Sequence, residues 1–81
     1  MWYVYILECN DNTLYVGVTK SLTDRLNYHN RGKASKYTRG RTPVKMIHTE
    51  EHPDKTSALK REHELKRWTR GKKLALIQKA R

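Results

Sequence analysis

Two short alternating segments, residues 2–7 and 14–18, flank a run of turn formers, Glu8-Cys-Asn-Asp-Asn-Thr13. Aromatic and β-branched residues favour strands, and the polar cluster between them closes a hairpin. Side chains alternate across a strand, so Trp2, Val4 and Ile6 point one way and Tyr3, Tyr5 and Leu7 the other. In the second strand Leu14, Val16 and Val18 form the apolar set, and Tyr15, Gly17 and Thr19 the other. The register that turns both apolar sets toward one core leaves Tyr5 and Tyr15 together on the opposite face.

Beyond the hairpin the chain is mostly helical. Ser21 suits an N-cap and Asp24 suits the positive end of a helix, which predicts a helix over 22–30 that stops at Gly32. Leu22, Leu26 and His29 make one stripe, with Arg25 on its flank, so Arg25 and His29 border the buried face. Residues 31–43 hold two glycines and a proline with no helical period, and read as a basic loop. A third strand is expected over 44–49. His52-Pro53-Asp54 then breaks the chain, and Asp54 caps a helix over 55–68. Thr69 and Gly71 interrupt it, and a short last helix over 72–79 is expected to pack back on the sheet. The order β-β-α-β-α(-α) makes an α+β chain, a three-stranded antiparallel sheet flanked by helices, with residues 1–81 as one domain.

Charge bounds the partners. Residues 1–30 carry two basic and three acidic side chains, a net of −1, and residues 31–81 carry sixteen and five, a net of +11. Such a lopsided positive surface is the footprint of a polyanion, with nucleic acid favoured over an anionic membrane. The C-terminal helices lack the bulky apolar face of a membrane-surface helix, and the apolar run 4–7 is far too short to span a bilayer. One cysteine, Cys9, permits no intrachain disulfide and reads as a free thiol beside a loop. A chain of 81 residues buries only about 60–65% of its unfolded surface. With neither a disulfide staple nor a signal peptide, an intracellular, cytoplasmic protein is expected.

The chemistry-bearing residues converge. Tyr15 and Gly17 share a strand face, and Arg25 and His29 share a helix stripe. A phenol, an uncovered stretch of backbone at Gly17, a guanidinium and an imidazole therefore meet within fifteen residues. That set suits a phosphate: a fixed cation, titratable groups for the proton, and no side chain at position 17 to hold a ligand off. On the helix over 55–68, Glu62 falls on the arc of Ala58 and Leu65 while Glu64 points nearly opposite. An inward carboxylate needs a cation, a metal or donors, so Glu62 reads either as half of an ion pair or as a metal ligand. Tyr37, among the cations of the basic loop, is either a solvated tyrosine or one that contacts a base or phosphate.

In this order and spacing the residues resemble the GIY-YIG nuclease superfamily, most closely its small stand-alone members. Tyr3-Val4-Tyr5 stands at the first signature triplet, with Tyr3 in place of glycine, and Tyr15-Val16-Gly17 at the second. Arg25 and His29 supply the Arg-x-x-x-His, and the segment ALKREHELKRW supplies the glutamate helix, with Glu62 at the metal-ligand position. The resemblance implies a metal-dependent endonuclease that hydrolyses phosphodiester bonds in DNA, with structure-specific repair or recombination substrates among the readings. It implies a single divalent ion, Mg2+ or Mn2+, held by Glu62. Tyr5, Tyr15, Arg25, His29 and Glu62 are the expected catalytic residues; a signature tyrosine whose phenolate nearby cations favour is the general base, Tyr15 ahead of Tyr5. Gly17, Lys20, Lys33, Lys36, Tyr37 and Arg39 are expected to contact substrate, DNA rather than RNA, and a partner protein is expected to supply specificity. The alternative is a catalytically weak or inactive nucleic-acid-binding module or adaptor on the same fold.

Overall fold

The computed structural model describes residues 1–79. Its elements run β1 (Trp2–Glu8), β2 (Leu14–Thr19), α1 (Leu22–Asn30), α2 (Lys36–Arg39), β3 (Lys45–His52), α3 (Lys55–Lys66) and α4 (Arg70–Lys79). This is the expected α+β arrangement. The strands form a three-stranded sheet in the order β2-β1-β3, antiparallel throughout, so β1 is central and β2 is an edge.

Local chemistry sets the ends. In the β1–β2 turn Asn12 takes a left-handed φ of 66°, and the Asp11 carboxylate accepts from the Thr13 amide and hydroxyl. Ser21 caps α1 by accepting from the Asp24 amide. Gly32, at φ 73°, ends it, with the Gly32 amide donating to His29 O and the Lys33 amide to Tyr28 O. That pair of bonds is a Schellman cap, whose left-handed position glycine fills without a Cβ penalty. Asp54 caps α3, accepting from the Ser57 amide.

Strand alternation divides the apolar residues between the two faces. On one face Val4, Ile6 and Val16 pack against Ala58 and Leu65 of α3 and Ile77 of α4, so the last helix does close this core. The other face is not open. Tyr5, Leu7, Cys9 and Val44 form a second, smaller core, flanked by Tyr15, Met46 and by Leu22 and Leu26 of α1.

Four boundaries differ from expectation. The basic loop contains the single turn α2, capped by Ser35, whose hydroxyl accepts from the Tyr37 amide. The third strand extends to His52, because residues 50–52 pair with Val4, Tyr3 and Trp2 of β1, and Glu50 there bonds Arg61 of α3. Helix α3 ends at Lys66 rather than 68. The break falls at 67–69 and Gly71 lies inside α4, whose start the Thr69 hydroxyl caps by accepting from the Lys72 amide.

Candidate active site

Pairing places Tyr5 opposite Gly17 and Leu7 opposite Tyr15. Tyr5 and Tyr15 are therefore diagonal neighbours on the α1 face, with ring centroids 6.4 Å apart. A Cβ on Gly17 would overlap the Tyr5 phenol oxygen and Cζ. The space at position 17 thus belongs to the Tyr5 ring, which corrects the expectation that it leaves the backbone uncovered for a ligand.

Helix α1 brings His29 onto both tyrosines. Its Nε2 lies 2.9 Å from the Tyr5 hydroxyl, and its ring stands edge-on to Tyr15 at 5.1 Å. Its Nδ1 lies 2.8 Å from the hydroxyl of Thr38 on α2. The Thr38 hydroxyl in turn reaches Ser35 O at 3.4 Å. With Thr38 donating there, it accepts from Nδ1–H, which leaves Nε2 to accept the Tyr5 proton. Tyr5, His29 and Thr38 are all buried. Nothing in the sequence pattern pointed to Thr38, because a single turn of helix inside a loop leaves no periodicity to read.

The same burial sets protonation. It pushes the Tyr5 phenol well above the ordinary tyrosine range, and the Tyr15 and Glu62 charges act with it against the Arg25 guanidinium. At Tyr5, then, cations do not win over desolvation, contrary to the expectation for a signature tyrosine. Burial first and Arg25 second lower the His29 imidazolium below its usual value. His29 is accordingly neutral at pH 7 and able to accept a proton.

Arg25 is half-buried, and its guanidinium has no hydrogen-bond or carboxylate partner among the described residues. Arg61 and Arg41 behave otherwise. Arg61 binds both Glu50 oxygens, at 2.8 and 3.1 Å, and also pairs with Glu64. Arg41 holds Asp11 at 2.9 Å. The helical phase of α3 is as read from the sequence: the Glu62 side chain is 15% exposed and that of Glu64 54%. The one protein cation on Glu62 among the described residues is Lys66, at 3.5 Å and a turn away.

The structure thus packs Tyr5, Tyr15 and His29 against one another, with Arg25 and Glu62 near enough for their charges to act on Tyr5, and places the expected substrate contacts less uniformly. Lys33 and Lys36 are exposed on the α1–β3 connection, and Arg39 there donates to Gly32 O. The Lys20 ammonium sits 5.3 Å from the Trp2 ring, with Lys55 at 5.4 Å from the same indole. Tyr37 is not isolated: its ring lies 5.8 Å from Tyr15, and the Arg41 guanidinium sits 4.2 Å from its centre.

Glu62 fits a divalent metal in donor chemistry. Its oxygens accept no hydrogen bond from the described residues, and a hard cation that keeps several waters needs only one or two protein carboxylates beside substrate phosphate. No group of three or more His, Cys, Asp or Glu among the described residues forms an all-protein cage.

Sheet order, the paired signature tyrosines, Arg25, His29 and the glutamate helix together define a GIY-YIG domain. Residues 1–75 match the GIY-YIG catalytic domain, and the chain belongs to that family. Among its relatives it is similar to a UPF0213 protein of Natronomonas pharaonis, 49% identical over 75 residues that cover 93% of this chain and 88% of the relative. A UPF0213 protein of Staphylococcus epidermidis is 47% identical over 76 residues, covering 94% and 93%. The solution NMR structure of a UPF0213 protein from Bacillus halodurans superposes with a TM-score of 0.62 at 43% identity, covering 96% of this chain and 84% of that one.

Proposed function

We propose that residues 1–81 form a single nuclease module, a divalent-metal-dependent endonuclease that hydrolyses phosphodiester bonds in DNA. The observation that carries the proposal is Arg25: a half-buried residue whose guanidinium has no acid partner among the described residues and lies near enough to Tyr5 and His29 to shift both. A cation held beside buried rings with no acid to neutralise it is a ready receptor for an anion. A scissile phosphate is that anion, and its transition state gathers more charge for Arg25 to stabilise.

In this reading Glu62 holds one Mg2+ or Mn2+, which supplies Lewis-acid stabilisation of the phosphoryl oxygens. Tyr15, half-buried where Tyr5 is enclosed, is the phenol that water can reach. As its phenolate it takes a proton from water, the new oxygen bonds to phosphorus, and the leaving P–O bond breaks. The departing oxygen takes a proton from solvent. Tyr5 keeps its proton directed at His29, and together they hold the imidazole edge against Tyr15. Lys33, Lys36, Arg39 and the Tyr37 edge contact flanking strand, a partner protein supplies target choice, and the setting is cytoplasmic.

The test is a cleavage assay on duplex, single-stranded, flapped and branched DNA with magnesium, manganese or chelator. Wild type cuts only with metal. Glu62→Gln and Arg25→Ala each lose about 10²–10³-fold in rate, while Glu64→Gln stays near wild type. Equal effects of Glu62→Gln and Glu64→Gln reject the assignment of the carboxylate. A second reading rests on Lys66, whose ammonium already neutralises Glu62: a module that binds nucleic acid without cutting it. Chelator-insensitive binding by wild type and Glu62→Gln, with no cleavage by either, supports that reading instead.

A further inference from the structure

A second cluster of cations lies further along the same strand. A cleft of about 230 Å³ is lined by Thr13 of the hairpin turn, Leu14 at the start of β2, Tyr37 of α2, and Arg70 and Lys73 of α4. Because β2 is the sheet edge, the cleft wraps round that edge from the α2 side to the α4 side. Gly17 lies three residues beyond Leu14, about 10 Å at ~3.3 Å per residue. An aromatic row connects the two places, since Tyr37 packs on Tyr15 and Tyr15 on Tyr5.

The cations are arranged as for a ligand. Arg70 donates to Asn12 O in the hairpin turn, which holds its guanidinium across the cleft mouth and leaves its other donors uncommitted. Lys73 is half-buried, yet has no carboxylate partner among the described residues. The acid nearest the turn, Asp11, is already taken by Arg41. An ammonium without an acid partner beside a guanidinium tied to the hairpin turn suits a phosphate, and the Tyr37 and Leu14 walls suit the apolar part of a nucleotide.

We propose that this cleft is a subsite for a nucleotide of the bound strand, with its phosphate held by Arg70 and Lys73. At ~3.4 Å of duplex axis per phosphate of one strand, the subsite lies about three phosphates from the reacting one, and fewer if the strand is unstacked. The proposal rests on the nucleic-acid reading above, and the test separates the two. Fluorescence anisotropy with a labelled single strand and a matching duplex, in chelator and over a range of salt, compares wild type with Arg70→Gln/Lys73→Gln. The control pair Lys60→Gln/Arg67→Gln removes the same charge from the surface beside Trp68.

Loss of two phosphate contacts makes the log–log salt slope shallower by about 1.4 on a single strand, with roughly tenfold weaker binding at low salt. Lys73→Gln alone leaves the Arg70 tie to the hairpin turn intact and shifts the slope by about 0.7. The control pair shifts it by less than half as much as the cleft pair. Equal shifts from both pairs, or none from the cleft pair, overturn the subsite. Wild type that binds with the expected slopes but never cuts in magnesium or manganese overturns the nuclease reading and leaves the subsite standing.

Discussion

On one face of the sheet Val4, Ile6 and Val16 meet Ala58, Leu65 and Ile77 in an aliphatic contact. On the other, the residues one step along the same strands, Tyr5 and Tyr15, meet an imidazole whose far nitrogen is held by a buried hydroxyl. Period-two alternation makes this division possible, since a strand can serve two environments without compromise at any position. Their charges differ as well. Toward α3, Glu50 is closed up by Arg61 and His48. Around Tyr5, Arg25 has no acid partner among the described residues. The α3 side pairs its polar groups, Glu62 with a lysine at 3.5 Å and the buried His52 Nε2 excepted, while the Tyr5 side keeps the Arg25 cation open. The difference separates what holds the chain together from what it offers a ligand.

Leu65→Ala is the largest blow to the first face. Leu65 is fully buried, and such truncations cost about 2–5 kcal/mol, a large share of the stability of so small a chain. Denaturant unfolding is expected to show that loss, while cleavage per folded molecule stays near wild type. A cleavage loss beyond the unfolded fraction would show that the two faces are not independent.

Acid tests the closed pairs next. Burial alone would raise the Glu50 carboxyl, but hydrogen bonds from Arg61 and His48 outweigh it and hold it at about 2, against 4.5 for an ordinary glutamate. The folded value is the lower one, so the stabilisation is fully present above pH ~4.5 and is lost as pH falls toward 2. It is on the order of 3 kcal/mol. Glu50→Gln is expected to lower stability at neutral pH, by leaving Arg61 with only the exposed Glu64 as a carboxylate partner, and to flatten the slope of unfolding free energy between pH 4.5 and 2. An unchanged slope would assign the acid sensitivity to other carboxylates.

Thr38→Val makes the smallest change, on the second face. It removes the acceptor for His29 Nδ1–H, which costs about 1–2 kcal/mol for one buried donor left unsatisfied. Nitrogen NMR of His29 is expected to show a mixture of tautomers in place of one. A single unchanged tautomer would mean that Tyr5 alone sets the proton position.

Sequence periodicity carried the helix phases and the hairpin, because burial acts residue by residue along one element. Glu62 was legible for that reason: Ala58 and Leu65 mark its side of α3. Gly17 was found but its purpose was not, because the ring that fills its space comes from the opposite strand and is known only once Tyr5 and Gly17 are paired. Thr38 and Glu50 were missed for a related reason. Each is an ordinary polar residue in its own segment, and becomes significant only through a partner nine and eleven positions away respectively. The cleft at Arg70 and Lys73 was hidden in the same way, since Asn12 lies 58 residues from the arginine it holds.

The central position of β1 has a consequence for synthesis. It leaves the ribosome before either neighbour, and one of its edges must wait for Lys45–His52. At about 5–20 residues per second, the delay from Glu8 to His52 is roughly 2–9 s. During that interval the β1–β2 hairpin can form, but it exposes apolar side chains on a strand with one unpaired edge, a template for pairing with another nascent chain. Production of this protein in cells is therefore expected to depend on how fast the middle of the chain is translated.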